Sequence, residues 1–335
     1  MATVVELRGV RKSFRRRVRS ASFSGVLRDL TRPRHETVTA LAGIDLAVEA
    51  GEMVAYAGPN GAGKSTTIKL LAGLLAPDSG TVRALGADPV RDRVRYVGRI
   101  GVVFGQRTEL WWDQSVAASF EWKRVVWNIP RERFDRMQRI VRDLLDLDEI
   151  LNTTARELSL GQRMRADLAL ALLPEPDILL LDEPTLGLDV LARRRILEFI
   201  RELNRERGVS VVVTSHDMAE LEQLAGRIVL LHRGEIAFDG DFAELRRLLT
   251  GQRVLTLETT GPAAPALPGA QLVRSEASRH EYVFDSRDVR LSQLLEHAAA
   301  QTEVLDVETH RPPIDHVVAD LYEHWSRNGA PKVTA

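Results

Sequence analysis

Nine residues, Gly58-Pro59-Asn60-Gly61-Ala62-Gly63-Lys64-Ser65-Thr66, constrain this chain more than any other stretch. They fit the pattern G-x-x-x-x-G-K-[ST]. A strand-like apolar run at 53–57 precedes them, and a helix opens at their end. Glycines let consecutive backbone N–H groups turn inward, and the helix N-terminus adds partial positive charge. A loop of this kind cradles phosphates. Lys64 is placed to reach β- and γ-phosphates, and Ser65 to hold Mg2+. The chain's own Gly, Lys, Ser and Thr frequencies give roughly 0.002 chance matches, so composition does not explain the motif.

Composition narrows the rest. At 335 residues, 44% hydrophobic and 28% charged, the chain has room for one large domain or a domain plus a smaller one. A net charge of -1 does not indicate a whole-chain polyanion binder. The absence of cysteine excludes disulfides, thiol catalysis and thiolate metal sites, and fits a reducing compartment. No apolar run approaches the ~20 residues that span a bilayer. The N-terminus lacks a signal-peptide core. By itself the chain is expected to be neither exported nor membrane-spanning. The basic residues are 41 Arg and 5 Lys, so a lysine inside a motif carries extra weight.

Strand-like runs at 4–7, 44–48, 53–57, 178–181 and 209–214 alternate with helical patterns at 131–147, 159–173 and 190–207. This argues for a parallel α/β sheet. Between residues 8 and 34 lie ten Lys/Arg and a single acid, Asp29. Inside that stretch, Phe23, Val26, Leu27 and Leu30 follow helical spacing. The boundaries read as a domain at 1–250, with a basic insertion at 15–36 and a helical subdomain at 107–173, and a small α+β domain at 251–335. Residues 259–270 hold three Pro and two Gly and read as a flexible loop.

Further residues join the phosphate loop. The strand at 178–181 ends in Asp182-Glu183, at the strand edge where open α/β sheets bind ligands. Asp182 can support Mg2+, and Glu183 can orient and deprotonate an attacking water. Ser159 caps the helix that follows, so Ser159 and Gly161 make a second anion-binding helix start.

Together these segments resemble the ATP-binding cassette (ABC) ATPases, the nucleotide-binding subunits of ABC transporters, over about residues 4–250. The resemblance implies a P-loop ABC domain: a RecA-like parallel sheet core, an antiparallel β subdomain and a helical subdomain. Gly58, Asn60, Gly61, Gly63, Lys64, Ser65 and Thr66 resemble the Walker A loop. Gln106 resembles the Q-loop glutamine, which touches Mg2+ and the attacking water. Ser159, Gly161 and Gln162 resemble the signature motif, in which Leu160 replaces the commoner glycine. Asp182 and Glu183 resemble the Walker B aspartate and catalytic base. Asp189 lies in a segment like the D-loop, His216 resembles the switch histidine, and Phe14 is the candidate for stacking on adenine.

The resemblance also implies ATP and Mg2+ as cofactors and a head-to-tail dimer, expected to be of identical chains. Each ATP then lies between one chain's Walker A loop and the other's signature motif. It further implies separate polytopic permease subunits and a peripheral place on the cytoplasmic face of the membrane. Residues 105–113 and the LSLGQRMRADLA segment resemble a prokaryotic export-type branch, which suggests a drug-like, lipid or glycan cargo. Trp111, Trp112 and residues 120–127 are candidates for gripping a permease. The insertion at 15–34 is a candidate for contact with lipid headgroups. No nucleic-acid partner is expected. The alternative is a soluble ABC ATPase acting on nucleic acid, ribosomes or cofactor assembly. His310, His316 and His324 lack the spacing of a metal site.

Overall fold

The computed structural model describes residues 2–18, 34–105, 107–248, 252–310, 313–328 and 333–334. The amphipathic run at 23–30 and Gln106 lie outside them. The chain divides into two compact units, Met1–Asp241 with Pro331–Ala335, and Phe242–Ala330. The division expected at 250/251 therefore moves to 241/242, and the C-terminal residues return to the first unit. There, strand Val333–Thr334 pairs in parallel with residues 238–239.

The first unit opens with β1 (Thr3–Val18) and β2 (Arg34–Glu49), an antiparallel ribbon. β3 (Met53–Ala57) and α1 (Lys64–Leu71) flank the glycine-rich loop. β4 (Ser79–Ala84) pairs with β1 only from Val5 to Arg11. Beyond that point the ribbon is two-stranded, and Phe14 and Val38 stand exposed on it. Both strands are much longer than the short runs at 4–7 and 44–48 read from sequence. The outer half has no buried face, so no apolar alternation marks it. The basic insertion thus begins as ribbon rather than as a separate loop.

The unit continues with α2 (Arg93–Val97), β5 (Ile100–Phe104), α3 (Val116–Val126), α4 (Arg131–Leu145) and α5 (Leu160–Leu172). β6 (Ile178–Asp182), α6 (Val190–Arg207), β7 (Ser210–Thr214), α7 (Met218–Leu224), β8 (Arg227–His232) and β9 (Glu235–Asp241) complete it. The main sheet runs β9-β8-β3-β7-β6-β5, with Val333–Thr334 on the β9 edge. β5, β6, β7, β3 and β8 are mutually parallel and β9 is antiparallel. β3 and β7 are buried along their whole length, as central strands covered on both faces must be.

Val5, Leu7, Leu41 and Ile44 of the ribbon share one core with Ile68 and Leu71 of α1 and with Tyr56, Leu180 and Val212 of the main sheet. Burying each such side chain contributes about 1.5–3 kcal/mol. α1 is therefore held between two sheets, which fixes the loop at its N-terminus.

The second unit holds α8 (Phe242–Arg247), β10 (Gln252–Thr259), β11 (Ala270–Glu276), β12 (Arg279–Asp285), α9 (Leu291–Ala299), β13 (Val304–His310) and α10 (Ile314–Asn328). Its antiparallel sheet runs β11-β12-β10-β13. Leu255, Leu257, Tyr282 and Phe284 pack there with Leu294 and Ala298 of α9. The Pro/Gly-rich connection is pinned rather than free. The Tyr282 hydroxyl donates to Pro265 O at 2.6 Å, and the Gln301 amide bonds both Ala266 N and Ala266 O at 2.9 Å. Composition alone does not reveal such long-range anchors.

Candidate functional site

The glycine-rich loop turns as its sequence demands. Gly61 has φ 81° and Gly63 φ 117°. A Cβ on Gly63 would lie 2.6 Å from Ala40 O and 2.6 Å from Leu41, so glycine is required by space as well as by backbone angle. α1 starts immediately after, with no side-chain cap and no acid in its first turn. Its first N–H groups therefore remain available to an anion. Lys64 is buried and folds back, donating to Gly58 O at 2.6 Å. Burial pulls its ammonium below the usual lysine value, while the charges of Glu183 and Asp182 act in the opposite direction.

Asp182 ends β6 beside this loop. Ser65 Oγ donates to its Oδ1 at 3.2 Å, and Thr214 Oγ1 donates to the same oxygen at 2.8 Å. Glu183 N donates to Thr214 Oγ1 at 3.0 Å. Glu183 adopts φ 57°, a left-handed backbone rare outside glycine and asparagine. Such strain costs of order 1–3 kcal/mol and persists only where the surroundings enforce it. Here Thr214 enforces it from one side. From the other, Gly105 N donates to Asp182 O at 2.8 Å, and a Cβ on Gly105 would meet Glu183 O at 2.2 Å. Neither Thr214 nor Gly105 stands out by residue type in the sequence. Their signal was positional: each ends or follows a strand adjacent to β6.

His216 Nε2 lies 2.6 Å from Glu183 Oε1. Its loop is tied to the segment after Glu183 by Glu220, a buried acid of α7. Glu220 accepts from Thr185 Oγ1 at 2.7 Å and Ser215 Oγ at 3.0 Å, and pairs with Arg193 at 3.0 Å. This brings Lys64, Ser65, Asp182, Glu183 and His216 to one edge of the sheet. Phe14 stands on the ribbon, 40% exposed as a residue, with Lys12 Nζ 5.7 Å from its ring centroid. Asn60 and Gly61 are exposed on the loop.

Ser159, Gly161 and Gln162 sit at the start of α5. Ser159 Oγ accepts from Gln162 N at 3.2 Å, and Gln162 Oε1 accepts from Ser159 N at 2.9 Å, a reciprocal capping box. Leu160 packs on the loop between β6 and α6, since a Cβ on Gly187 would come within 2.8 Å of Leu160 Cδ2. Asp189 caps α6, accepting from Ala192 N at 2.9 Å. Among the described residues, no hydrogen bond or ion pair joins Ser159, Gly161 or Gln162 to the glycine-rich loop, Asp182 or Glu183.

Asp167, also passed over in the sequence, fastens the segment after β5. It lies buried in α5, accepts from Thr108 Oγ1 at 2.8 Å and from Glu109 N at 3.1 Å, and burial pushes its carboxyl up to about 6. Because the folded value exceeds the ordinary 3.8, this group's stabilising contribution is complete at low pH and is lost as pH rises through about 6. Asp167→Asn keeps an acceptor without the charge. It should be more stable than the parent at pH 8 by about 1–2 kcal/mol, with the gap closing toward pH 4. Urea melts at pH 4, 6 and 8 check this; a gap independent of pH contradicts it.

A family model described as "ABC transporter" matches residues 41–186. The daunorubicin resistance ATP-binding protein DrrA3 of Streptomyces coeruleorubidus is 31% identical over 294 residues, covering 86% of this chain and 92% of DrrA3. The chain belongs to the ABC transporter ATPase family. The sulfate/thiosulfate import ATP-binding protein of Cucumis sativus is 34% identical to this ABC ATPase over 307 residues, 85% of this chain and 83% of the relative. A solved cassette captured as a post-hydrolysis dimer with ADP and phosphate superposes on the ABC ATPase with TM-score 0.57 and 26% identity, over 71% of this chain and 98% of that one. The mixed α/β architecture and the ATPase activity expected from sequence agree with these relatives.

Proposed function

We propose that this chain is the ATP-hydrolysing subunit of a membrane exporter. It works as a head-to-tail pair with a second copy and drives a separate polytopic permease from the cytoplasmic face of the membrane. One observation carries this reading. Lys64, Ser65, Asp182, Glu183 and His216 converge at one sheet edge, while among the described residues the Ser159 helix start has no bond to them. A phosphate chain held by the first group still needs a second anion site, and a second copy supplies one.

In this reading Lys64 exchanges its loop carbonyls for β- and γ-phosphate oxygens. Gly58, Asn60, Gly61, Gly63 and Thr66 present the backbone around them, and Phe14 stacks on adenine. The Ser65 hydroxyl and Asp182 carboxylate form a hard-oxygen donor pair at 3.2 Å, which fits magnesium. They would hold it, with Gln106 from outside the described residues. When bound, the ion neutralises charge on the phosphates. Glu183 accepts the proton of the attacking water, and His216 positions Glu183 and senses the γ-phosphate. Ser159, Gly161, Gln162 and Asp189 act on the ATP of the second copy.

Trp111 and Trp112 are 46% and 52% exposed, and the Trp111 ring meets that of Trp122 at a 51° tilt, with centroids 5.0 Å apart. They support a permease-gripping surface after β5. Phe120 is fully buried and belongs to the core instead. Exposed Arg15 and Arg16 on the outer ribbon support a contact of residues 15–34 with anionic headgroups. Of the drug-like, lipid and glycan cargoes, the match to a daunorubicin resistance relative favours a drug-like one.

Tagging the chain in its native cell and solubilising the membranes gently tests the reading. A polytopic protein should co-purify in roughly equal amount. Recovery with ribosomes, nucleic acid or assembly proteins instead would replace the transporter with a soluble ATPase.

A further inference from the structure

A cleft of about 260 Å³ opens beside the carboxylates, lined by Ser65, Lys69, Gly105, Arg107, Asp182 and Glu183 among others. Lys64 is not on its wall. Lys69 follows Ser65 by four residues on α1, so both lie on one helix face, ~6 Å apart along the axis. Ser65 is bonded to Asp182, which aims that face at the end of β6. Arg107 also lines the cleft, and its backbone N–H donates to Phe104 O at 3.0 Å. Lys69 and Arg107 make no ion pair or side-chain hydrogen bond among the described residues. Two cations with no ion pair of their own among the described residues thus line the same cleft as two carboxylates.

We propose that Lys69 and Arg107 form an exit station for inorganic phosphate, a proposal that rests on Glu183 being the site of ATP cleavage. The product leaves as a tetrahedral oxyanion carrying between one and two charges near neutral pH. It is released beside Glu183, whose carboxylate repels it, while Asp182 would face magnesium. Cations on the walls of the same cleft offset that repulsion and draw the anion outward. The volume lies below the roughly 300 Å³ at which small-molecule pockets begin, so it suits phosphate with its water rather than a nucleotide.

The test uses the full chain with ADP and magnesium, titrated with inorganic phosphate in a calorimeter, and phosphate inhibition of steady-state ATPase alongside. Lys69→Gln with Arg107→Gln should weaken phosphate binding and its inhibition about tenfold together. Lys69→Arg with Arg107→Lys should restore both. Equal phosphate affinity in parent and double variant, with ATP still hydrolysed, overturns the exit station and leaves the ATPase reading intact. A matching loss of ATP affinity also overturns it, because the cations would then serve the nucleotide. Absence of ATP hydrolysis in the parent would remove both readings.

Discussion

Glu183→Gln should bind ATP and scarcely hydrolyse it. Glutamine keeps the length of the side chain and an oxygen facing His216 Nε2, which lies 2.6 Å from Glu183 Oε1 in the parent. What it loses is the ability to take a proton. Removing a positioned general base costs about 10²–10⁴ in rate, or about 3–5 kcal/mol of transition-state stabilisation. Binding should persist, because the loop glycines, the α1 N-terminus and Lys64 are untouched. ATP then accumulates between two copies, and the variant should elute as an ATP-dependent dimer on a sizing column while the parent cycles back to monomer. Turnover within tenfold of the parent would remove Glu183 from the role of base.

Gly105→Ala should damage the same chemistry without touching a reacting group. The new Cβ would lie 2.2 Å from Glu183 O, a distance no real Cβ tolerates. Gly105 cannot simply retreat, since its N–H donates to Asp182 O at 2.8 Å and Phe104 is paired with Asp182 in the sheet. The strain must pass into the Asp182–Glu183 backbone, which already sits at φ 57°. Overpacking of this kind costs about 1–3 kcal/mol of stability. A displacement near 1 Å at a catalytic group costs on the order of 10²-fold in rate. The expected signature is a large fall in kcat with a modest fall in Tm. An unchanged kcat in a folded variant would mean that the Glu183 backbone moves freely.

The candidate site residues were the most legible part of the chain. Gly58–Thr66 announces itself because few residue types satisfy a phosphate-cradling turn, and Asp182-Glu183 stands out against four apolar neighbours. The central strands were legible for the same reason, since burial on both faces leaves an unbroken apolar run. The outer ribbon was not. Beyond Ser13, which still bonds Asp78, the ribbon has no third strand and no buried face, so Arg15 and Arg16 carry no face pattern. Thr214, Gly105 and Glu220 were hidden differently. Each acts through a partner 30 or more residues away or across a strand edge, or inside a three-way network, and one-dimensional spacing does not register such contacts. Asp167 left a trace: a lone acid in the apolar run from Ala166 to Leu173. The division between units moved because α8 belongs with the second unit and the last strand returns to the first.

The central claim is that ATP is hydrolysed between two copies of this chain, and mixing two disabled variants tests it most directly. Lys64→Ala removes the phosphate lysine but keeps the Ser159 helix start. Ser159→Glu places a negative charge at that helix start but keeps the phosphate loop. Each variant alone should be nearly inactive. A mixed pair rebuilds one complete site from the intact loop of one chain and the intact helix start of the other, so ATPase activity should reappear on mixing. Ser159→Glu hydrolysing ATP alone at the parent rate, or a mixture as inactive as its components, would contradict a site shared between two copies.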